Sequence, residues 1–96
     1  MPSVVLTEKA DSDLDAIHEH YQRVAGNAKA IEVVATILHG FQQLERFPGS
    51  GRPSAIADLR ELVLVDIPFI APYRYKDGQV QILRILHQRI ERSHHW

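Results

Sequence analysis

The sequence contains no cysteine, which excludes disulfides and cysteine-ligated zinc and makes a reducing compartment the natural expectation. It also lacks any run of about eighteen apolar residues, the length that a membrane-spanning helix needs. Residues 1–6 carry neither the basic region nor the long apolar core of a signal peptide. These absences predict a cytoplasmic protein with no membrane partner.

Basic residues are scarce in the first half of the chain and more frequent in the second. Residues 1–45 hold seven acidic and three basic residues, whereas residues 46–96 hold five acidic and eight basic ones, for a net charge of −1. A basic half suits an acidic or anionic partner, although the same charges also serve as an ordinary solvated surface. With 96 residues, 45% of them hydrophobic and 24% charged, the chain is expected to form one domain over residues 1–96.

Two helices are predicted between residues 7 and 47. Thr7 supplies a capping hydroxyl at the start of the first helix, and Gly26 ends it. Its apolar stripe comprises Ala10, Leu14, Ile17 and Tyr21. The second helix is predicted from Ala28 to Phe47, where Pro48 ends it because proline lacks a backbone donor. Its apolar stripe comprises Ile31, Val34, Ala35, Ile37, Leu38, Phe41 and Leu44. The short connection predicts an antiparallel helix pair.

Four strands are predicted around the helices: Ser3–Leu6, Arg60–Val65, Phe69–Lys76 and Val80–His87. Asp77-Gly78 favours a type I′ turn and joins the last two strands as a hairpin. Because Val80–His87 is apolar on both faces, it is predicted to be a central strand covered on both sides. Pro72 predicts that its strand lies at an edge of the sheet or has a bulge there.

The element order is therefore β-α-α-β-β-β. It predicts an α+β fold in which a two-helix hairpin packs on a mostly antiparallel four-stranded sheet. In that arrangement, Leu38 and Phe41 of the second helix should contact Ile82 and Leu86 of the last strand.

Five local strings, in this order along the chain, resemble the ParE branch of the RelE/ParE superfamily, the toxins of type II toxin–antitoxin systems. The strings are Asp13–Ile17, Phe47–Pro53, Leu59–Leu62, Tyr73–Tyr75 and Val80–Arg89. Together they span nearly the whole chain and are similar to a RelE/ParE-like toxin domain over residues 1–96. The resemblance implies a small cytoplasmic toxin of the plasmid-stabilisation type, neutralised by a cognate antitoxin. Because helix–sheet layers with an open face and an edge strand commonly bind an amphipathic helix or an added strand, the antitoxin is expected to wrap the helical hairpin and the sheet edge.

The same resemblance leaves two targets open. Likeness to ParE implies a protein that binds and poisons DNA gyrase, whereas RelE-like members are ribosome-dependent endoribonucleases that cut mRNA. The cutting branch has an arginine three residues before the tyrosine of the third strand, and this chain has Ile70 there. That departure favours the gyrase inhibitor, for which no catalytic site, cofactor or direct nucleic-acid binding is expected. A third reading is a chain that has lost toxicity and survives as a partner-bound module.

Three residues of the basic half are candidates for target binding: Arg74, His87 and Arg89. Arg74 is expected on the sheet face opposite the tyrosines of its strand, where it offers a cation to a partner or simply covers apolar surface. His87 is either a group that titrates near neutral pH or a histidine that fixes the chain end. If the chain is a ribonuclease, its catalytic set is Arg74, His87, Arg89 and His95, which together offer acid, base and positive charge.

Neither a metal site nor a pair of catalytic acids is expected. His18 and His20 are two residues apart and lie on different faces of the first helix, and His39 is on the second. The acidic residues of the first helix are expected to form a solvated face without a catalytic role. They are Asp11, Asp13, Asp15 and Glu19.

Overall fold

The computed structural model describes residues 3–64 and 66–88. Its elements are β1 (Ser3–Leu6), α1 (Glu8–Ala25), α2 (Asn27–Arg46), β2 (Arg52–Pro53), β3 (Arg60–Val63), β4 (Phe69–Lys76), β5 (Gln79–Ile82) and β6 (Leu86–His87). The predicted α+β architecture is confirmed, with β2 and the division of the last strand into β5 and β6 as additions. Within the described ranges, neither helix combines the length and the hydrophobicity that crossing a membrane would require.

Both helix boundaries follow from local chemistry. The hydroxyl oxygen of Thr7 accepts a hydrogen bond from the Ala10 N–H at 3.1 Å, which caps α1 as predicted. Gly26 lies between the helices with a φ of 93°, a conformation that disfavours side chains with a Cβ, so one helix ends and the next begins there. The chain consequently reverses within one residue, and α1 and α2 form the predicted hairpin.

The strands form one mixed sheet in the order β1-β5-β4-β3-β2, and β6 also pairs with β4. The pairing of β1 with β5 is parallel, and the other pairings are antiparallel. Asp77 and Gly78 have φ values of 55° and 75°, so the predicted type I′ turn is confirmed. β5 is central, as expected, because it lies between β1 and β4.

The helices cover one face of this sheet, called here the helix face, and the opposite side is the outer face. Side chains of the helix face pack with the helices in one core that includes Phe69, Ala71, Tyr73, Val80 and Ile82. The prediction that the last strand is covered on both sides is wrong for β5. Gln79 is exposed and Gln81 is half-buried on the outer face, because side chains alternate along the strand.

The last strand contains a one-residue bulge, so the prediction of one strand from Val80 to His87 is wrong. Tyr73 pairs with Ile82, and an unbroken register would place Ile85 opposite Ile70. Leu86 lies there instead, so residues 83–85 contain one extra residue. Pro72 faces this bulge, and its carbonyl oxygen accepts from the Leu83 N–H at 2.9 Å. Neither alternative predicted for Pro72 is therefore correct: its strand is not at an edge of the sheet, and the bulge lies in the facing strand and not in β4.

Helix α2 packs through a different stripe from the predicted one. Its buried residues are Ala30, Val33, Ile37, Phe41 and Leu44, whereas Ile31 is 57% exposed and Leu38 is 40% exposed. Gly40 explains the orientation, because a Cβ there would lie 2.6 Å from Leu64 Cδ2. Glycine thus permits the Gly40 side of α2 to approach Leu64 closely, and in this orientation Leu38 faces outward.

The predicted contacts of α2 with the last strand are partly wrong for the same reasons. Phe41 and Ile82 are both in the core, as expected, but Leu38 is not. Leu86 is buried on the outer face, since it pairs with Ile70, and the helices cover the other side. The bulge is the physical cause, because one extra residue reverses which side chains of a strand face the core.

Tyr73 fixes the connector Pro48–Pro53 that follows α2. Its hydroxyl donates to the Pro48 carbonyl oxygen at 2.7 Å and accepts from the Gly51 N–H at 2.9 Å. A Cβ on Gly51 would lie 2.6 Å from the Tyr73 ring, so glycine permits this close approach. Burial raises the pKa of the Tyr73 hydroxyl above its ordinary value, which keeps the phenol protonated.

Candidate functional site

Arg74 lies on the outer face of β4, opposite the side that Tyr73 faces, as predicted. It is exposed, and its cross-strand neighbour is Gln81. Lys76 lies two residues further along the same face, opposite Gln79. Within the described part of the chain, neither cation has a carboxylate within ion-pair distance. Arg74 and Lys76 are therefore available to an anionic group of a partner.

Two polar depressions lie beside Arg74. One, of about 390 Å³, is lined by Ala57, Asp58, Arg74, Tyr75 and Lys76. The other, of about 270 Å³, is lined by Arg74, Lys76, Asp77, Gln79 and Gln81. Arg74 and Lys76 border both, so this part of the outer face places two cations beside the amides of Gln79 and Gln81 and near the carboxylates of Asp58 and Asp77. We call it the Arg74 surface.

His87 occupies a different environment. It pairs with Phe69 across the sheet, and directly opposed residues share a face, so His87 lies on the helix face. The His87 and Phe69 rings meet edge-on, with centroids 5.6 Å apart and planes at 78°. His87 also borders a mainly apolar pocket of about 300 Å³ between α1 and the end of the sheet. The pocket is lined by Asp13, Ala16, Ile17, His20, Tyr21, Phe69, Ile85 and His87.

The structure does not bring Arg74 and His87 together. They lie on opposite faces of the sheet, and His87 is opposite Phe69, five residues from Arg74 along β4. That separation corresponds to about 17 Å along an extended strand. Arg89 and His95, the other two candidates, lie outside the described residues. The roles assigned to all four residues stay predictions.

The prediction that Asp13 lies on a solvated face is wrong. Its side chain is only 17% exposed and forms a two-point ion pair with Arg84. Arg84 Nε lies 2.7 Å from Oδ2, and Arg84 Nη2 lies 3.0 Å from Oδ1. The backbone N–H of Ile85 also donates to Oδ2, at 2.9 Å. The side-chain hydrogen bonding of Arg84 to Asp13 is the main reason that the pKa of Arg84 is raised.

The sequence did contain a signal for this pair. Asp13 lies three residues after Ala10 and four before Ile17, so it borders the apolar stripe of α1. Arg84 likewise stands between apolar neighbours in the last strand. Opposite charges that border two core-facing stripes are candidates for a partly buried ion pair.

The histidines of the helices form no recognisable metal site. Among residues 3–64 and 66–88, no three His, Cys, Asp or Glu side chains are grouped so that they could hold a metal ion. His20 contacts Tyr21 edge-on at the apolar pocket, with ring centroids 5.3 Å apart. His39 borders a separate surface depression with residues of the end of α2.

Comparison with known proteins identifies clear relatives. Residues 4–92 match the sequence model of the family described as "ParE toxin of type II toxin-antitoxin system, parDE". A Sinorhizobium fredii protein named "Putative toxin Y4kP" is 42% identical over 81 residues, which are 84% of this chain and 82% of that protein. A Caulobacter vibrioides protein named "Toxin RelE2" is 37% identical over 87 residues, which are 91% of this chain and 96% of that protein.

Solved structures include a similar relative and a second protein with the same fold. A chain of the solved structure "Chromosomal ParDE TA system from P. aeruginosa" is 42% identical, with a TM-score of 0.83. The match covers 91% of this chain and 96% of that one. The solution structure of HP0894 from Helicobacter pylori has a TM-score of 0.54 at 17% identity, a likeness of fold alone.

Proposed function

The chain belongs to the ParE toxin family of type II toxin–antitoxin systems, and from that premise we propose that it stops growth in the cytoplasm by binding DNA gyrase, without a catalytic step of its own. The observation that carries the proposal is the Arg74 surface. An inhibitor needs an exposed, complementary surface that a larger partner can cover, and this one offers cations with no ion pair among the described residues.

A ribonuclease would need more than a surface. It must collect an acid, a base and positive charge around one phosphate. Arg74 and His87 are on opposite faces of the sheet. Ile70, at the position where the resemblance places the arginine of the cutting branch, is apolar and only 1% exposed. These features support the inhibitor.

The endoribonuclease is the second candidate function because one relative at 37% identity is named "Toxin RelE2". For that function the set is Arg74, His87, Arg89 and His95, and mRNA would be the substrate. Induction of the chain separates the two candidates. The gyrase inhibitor stops DNA replication and raises the DNA-damage response while mRNA stays intact, whereas the ribonuclease cleaves translated mRNA in frame.

We also propose that a cognate antitoxin binds this chain, because its P. aeruginosa relative is described as part of a ParDE toxin–antitoxin system. β1 is an edge of the sheet among the described strands. The N–H groups of Ser3 and Thr7 are bonded toward β5, so the backbone groups of Val4 and Leu6 point to the free side. An added strand there, with an apolar helix over the exposed Ile31 and Leu38, fits the common modes of peptide recognition.

A supercoiling assay with purified gyrase tests the proposed target. The wild-type chain should inhibit supercoiling, and Arg74→Glu should raise the half-inhibitory concentration at least about tenfold, since lost interface charge pairs commonly cost more than about 1.4 kcal/mol. Antitoxin binding by Arg74→Glu should stay measurable.

Arg23→Glu is the matched control, because Arg23 is an exposed arginine in the last turn of α1, away from the Arg74 surface. It should inhibit gyrase like the wild type. Absence of inhibition by the wild-type chain would refute gyrase as the target, and rapid mRNA cleavage lost on replacing His87 or His95 would establish the enzyme.

A further inference from the structure

The bulge in the last strand determines which way His87 faces. Ile82 lies on the helix face, so an uninterrupted strand would place residues 84 and 86 there and turn His87 to the outer face. The extra residue reverses this pattern. Ile85 joins the core and His87 lies opposite Phe69 on the helix face. Bulges often redirect side chains in this way near functional sites.

Contacts from the start of α1 hold the bulge. The Thr7 N–H donates to the Ile82 carbonyl oxygen at 3.0 Å, and the Thr7 hydroxyl donates to the Leu83 carbonyl oxygen at 2.9 Å. Asp13 then engages the side chain of Arg84 and the N–H of Ile85. Every residue of the bulge is thus bonded to α1 or its capping residue through its backbone or its side chain.

The Asp13 carboxylate binds the backbone of the bulge as well as the side chain of Arg84, which a simple surface ion pair does not do. One carboxylate oxygen, Oδ2, receives both the Arg84 Nε–H at 2.7 Å and the Ile85 N–H at 2.9 Å. The Ile85 N–H belongs to the bulge and not to the regular strand pairing, so the carboxylate substitutes for a strand partner. Asp13, Ile85 and His87 all line the same apolar pocket.

We propose that Asp13 is a positioning residue that holds the bulge of residues 83–85 and so presents His87 on the helix face, at the apolar pocket. The consequence for activity rests on the proposed function and on the sequence-based prediction that His87 is one of the residues that bind the target. Asp13 does not touch the target. It acts through the backbone of Ile85 and the side chain of Arg84.

The test compares Asp13→Ala and Arg84→Met with Asp15→Ala in the full chain. Asp15 is the matched control because it is an exposed aspartate two residues along the same helix. Hydrogen exchange of the Ile85 amide should accelerate about tenfold to a hundredfold in Asp13→Ala, the range for losing a hydrogen bond to a charged group. Nuclear Overhauser contacts between the His87 and Phe69 rings should disappear. Asp15→Ala should change neither.

Arg84→Met separates the two parts of the contact, because it leaves Asp13 to accept from Ile85. Its Ile85 exchange should rise less than in Asp13→Ala, and its ring contacts should weaken. Should Asp13→Ala fail to fold, Asp13→Asn takes its place. Its side chain has no charge and only one acceptor oxygen, and its NH2 group cannot accept from Arg84, so the His87–Phe69 contacts should weaken in this variant too. Unchanged His87–Phe69 contacts in a folded Asp13 variant would overturn the positioning role.

Gyrase inhibition is measured on the same variants. It should fall at least about tenfold wherever the His87–Phe69 contacts are lost, with antitoxin binding retained. Full inhibition despite lost contacts would overturn the functional part of the inference. Failure of the wild-type chain to inhibit gyrase would refute the proposed function alone, and the exchange and ring-contact measurements would still decide the role of Asp13.

Discussion

At the scale of single residues, Tyr73 shows how one side chain fixes a loop of the ParE-like sequence. The connector after α2 has few apolar side chains to hold it, and two hydrogen bonds of the Tyr73 hydroxyl tie it to the sheet. Arg60 adds a third bond through the Gly51 carbonyl oxygen at 2.8 Å. The Phe47–Pro53 string therefore depends on a tyrosine that lies two strands further along the chain.

Replacing Tyr73 with Phe should destabilise the protein by about 1–3 kcal/mol at neutral pH, because the Gly51 N–H and the Pro48 carbonyl lose a buried partner. Urea unfolding measures this. Tyr75→Phe is the matched control, since Tyr75 is 49% exposed, and it should have little effect. Equal stability of the two variants would contradict this role for Tyr73.

The pH dependence of the same variants gives a second measurement. Folding raises the pKa of Tyr73, so its contribution to stability is complete below the unfolded value of about 10. Above that pH the unfolded chain loses the proton first, and the free energy of unfolding falls until the pH passes the folded pKa. Tyr73→Phe should lack this part of the alkaline decline.

At the scale of elements, helix α2 carries two apolar stripes on different sides. One contains the buried Val33 and Ile37, and the other contains the exposed Ile31 and Leu38. The contact of Gly40 with Leu64 selects the first for the core. The second stays on the surface and is available to a partner.

Phe41→Ala should cost about 3–5 kcal/mol, the usual loss for truncating a buried aromatic side chain. Phe41 is 3% exposed, and Phe47, six residues further along, is 64% exposed. Phe47→Ala therefore applies the same chemical change at the surface and should shift the melting temperature only slightly. If both variants melt within a few degrees of the wild type, α2 does not pack through Phe41.

At the scale of the whole molecule, the two sides of the sheet offer different surfaces. The exposed surface of α2 presents Ile31 and Leu38, and the outer face of the sheet presents Arg74 and Lys76. The antitoxin proposed to cover Ile31 and Leu38 and a target that binds the Arg74 surface therefore use separate surfaces, and His87, at the pocket between α1 and the end of the sheet, is a second contact predicted for the target. This arrangement suits a toxin that meets a target and an antitoxin.

Leu38→Asp should weaken binding of the proposed cognate antitoxin at least about tenfold, because it places a charge in an apolar interface. Gyrase inhibition should be retained. Val63→Asp is the matched control: Val63 is 41% exposed, close to the 40% of Leu38, but lies on the outer face. Binding and pull-down measurements with both variants test this, and equal loss of antitoxin binding would contradict separate surfaces.

The sequence alone determined the elements whose boundaries depend on local chemistry. Thr7 and Gly26 set the limits of α1, Asp77-Gly78 set the hairpin turn, and the bounds of β4 agree with the predicted Phe69–Lys76. Capping and turn preferences act over a few residues, so they can be read without knowing the rest of the fold. The strings that resemble ParE are likewise local, and the family they indicated is confirmed.

Only the tertiary structure decided the features that join distant parts of the chain. These are the parallel pairing of β1 with β5, the buried face of α2, the bulge of residues 83–85 and the contact of Asp13 with Arg84. Tertiary structure also placed Arg74 and His87 on opposite faces. A strand pattern has a period of two, so one extra residue reverses every later side chain, and whether a bulge forms depends on partners more than seventy positions away.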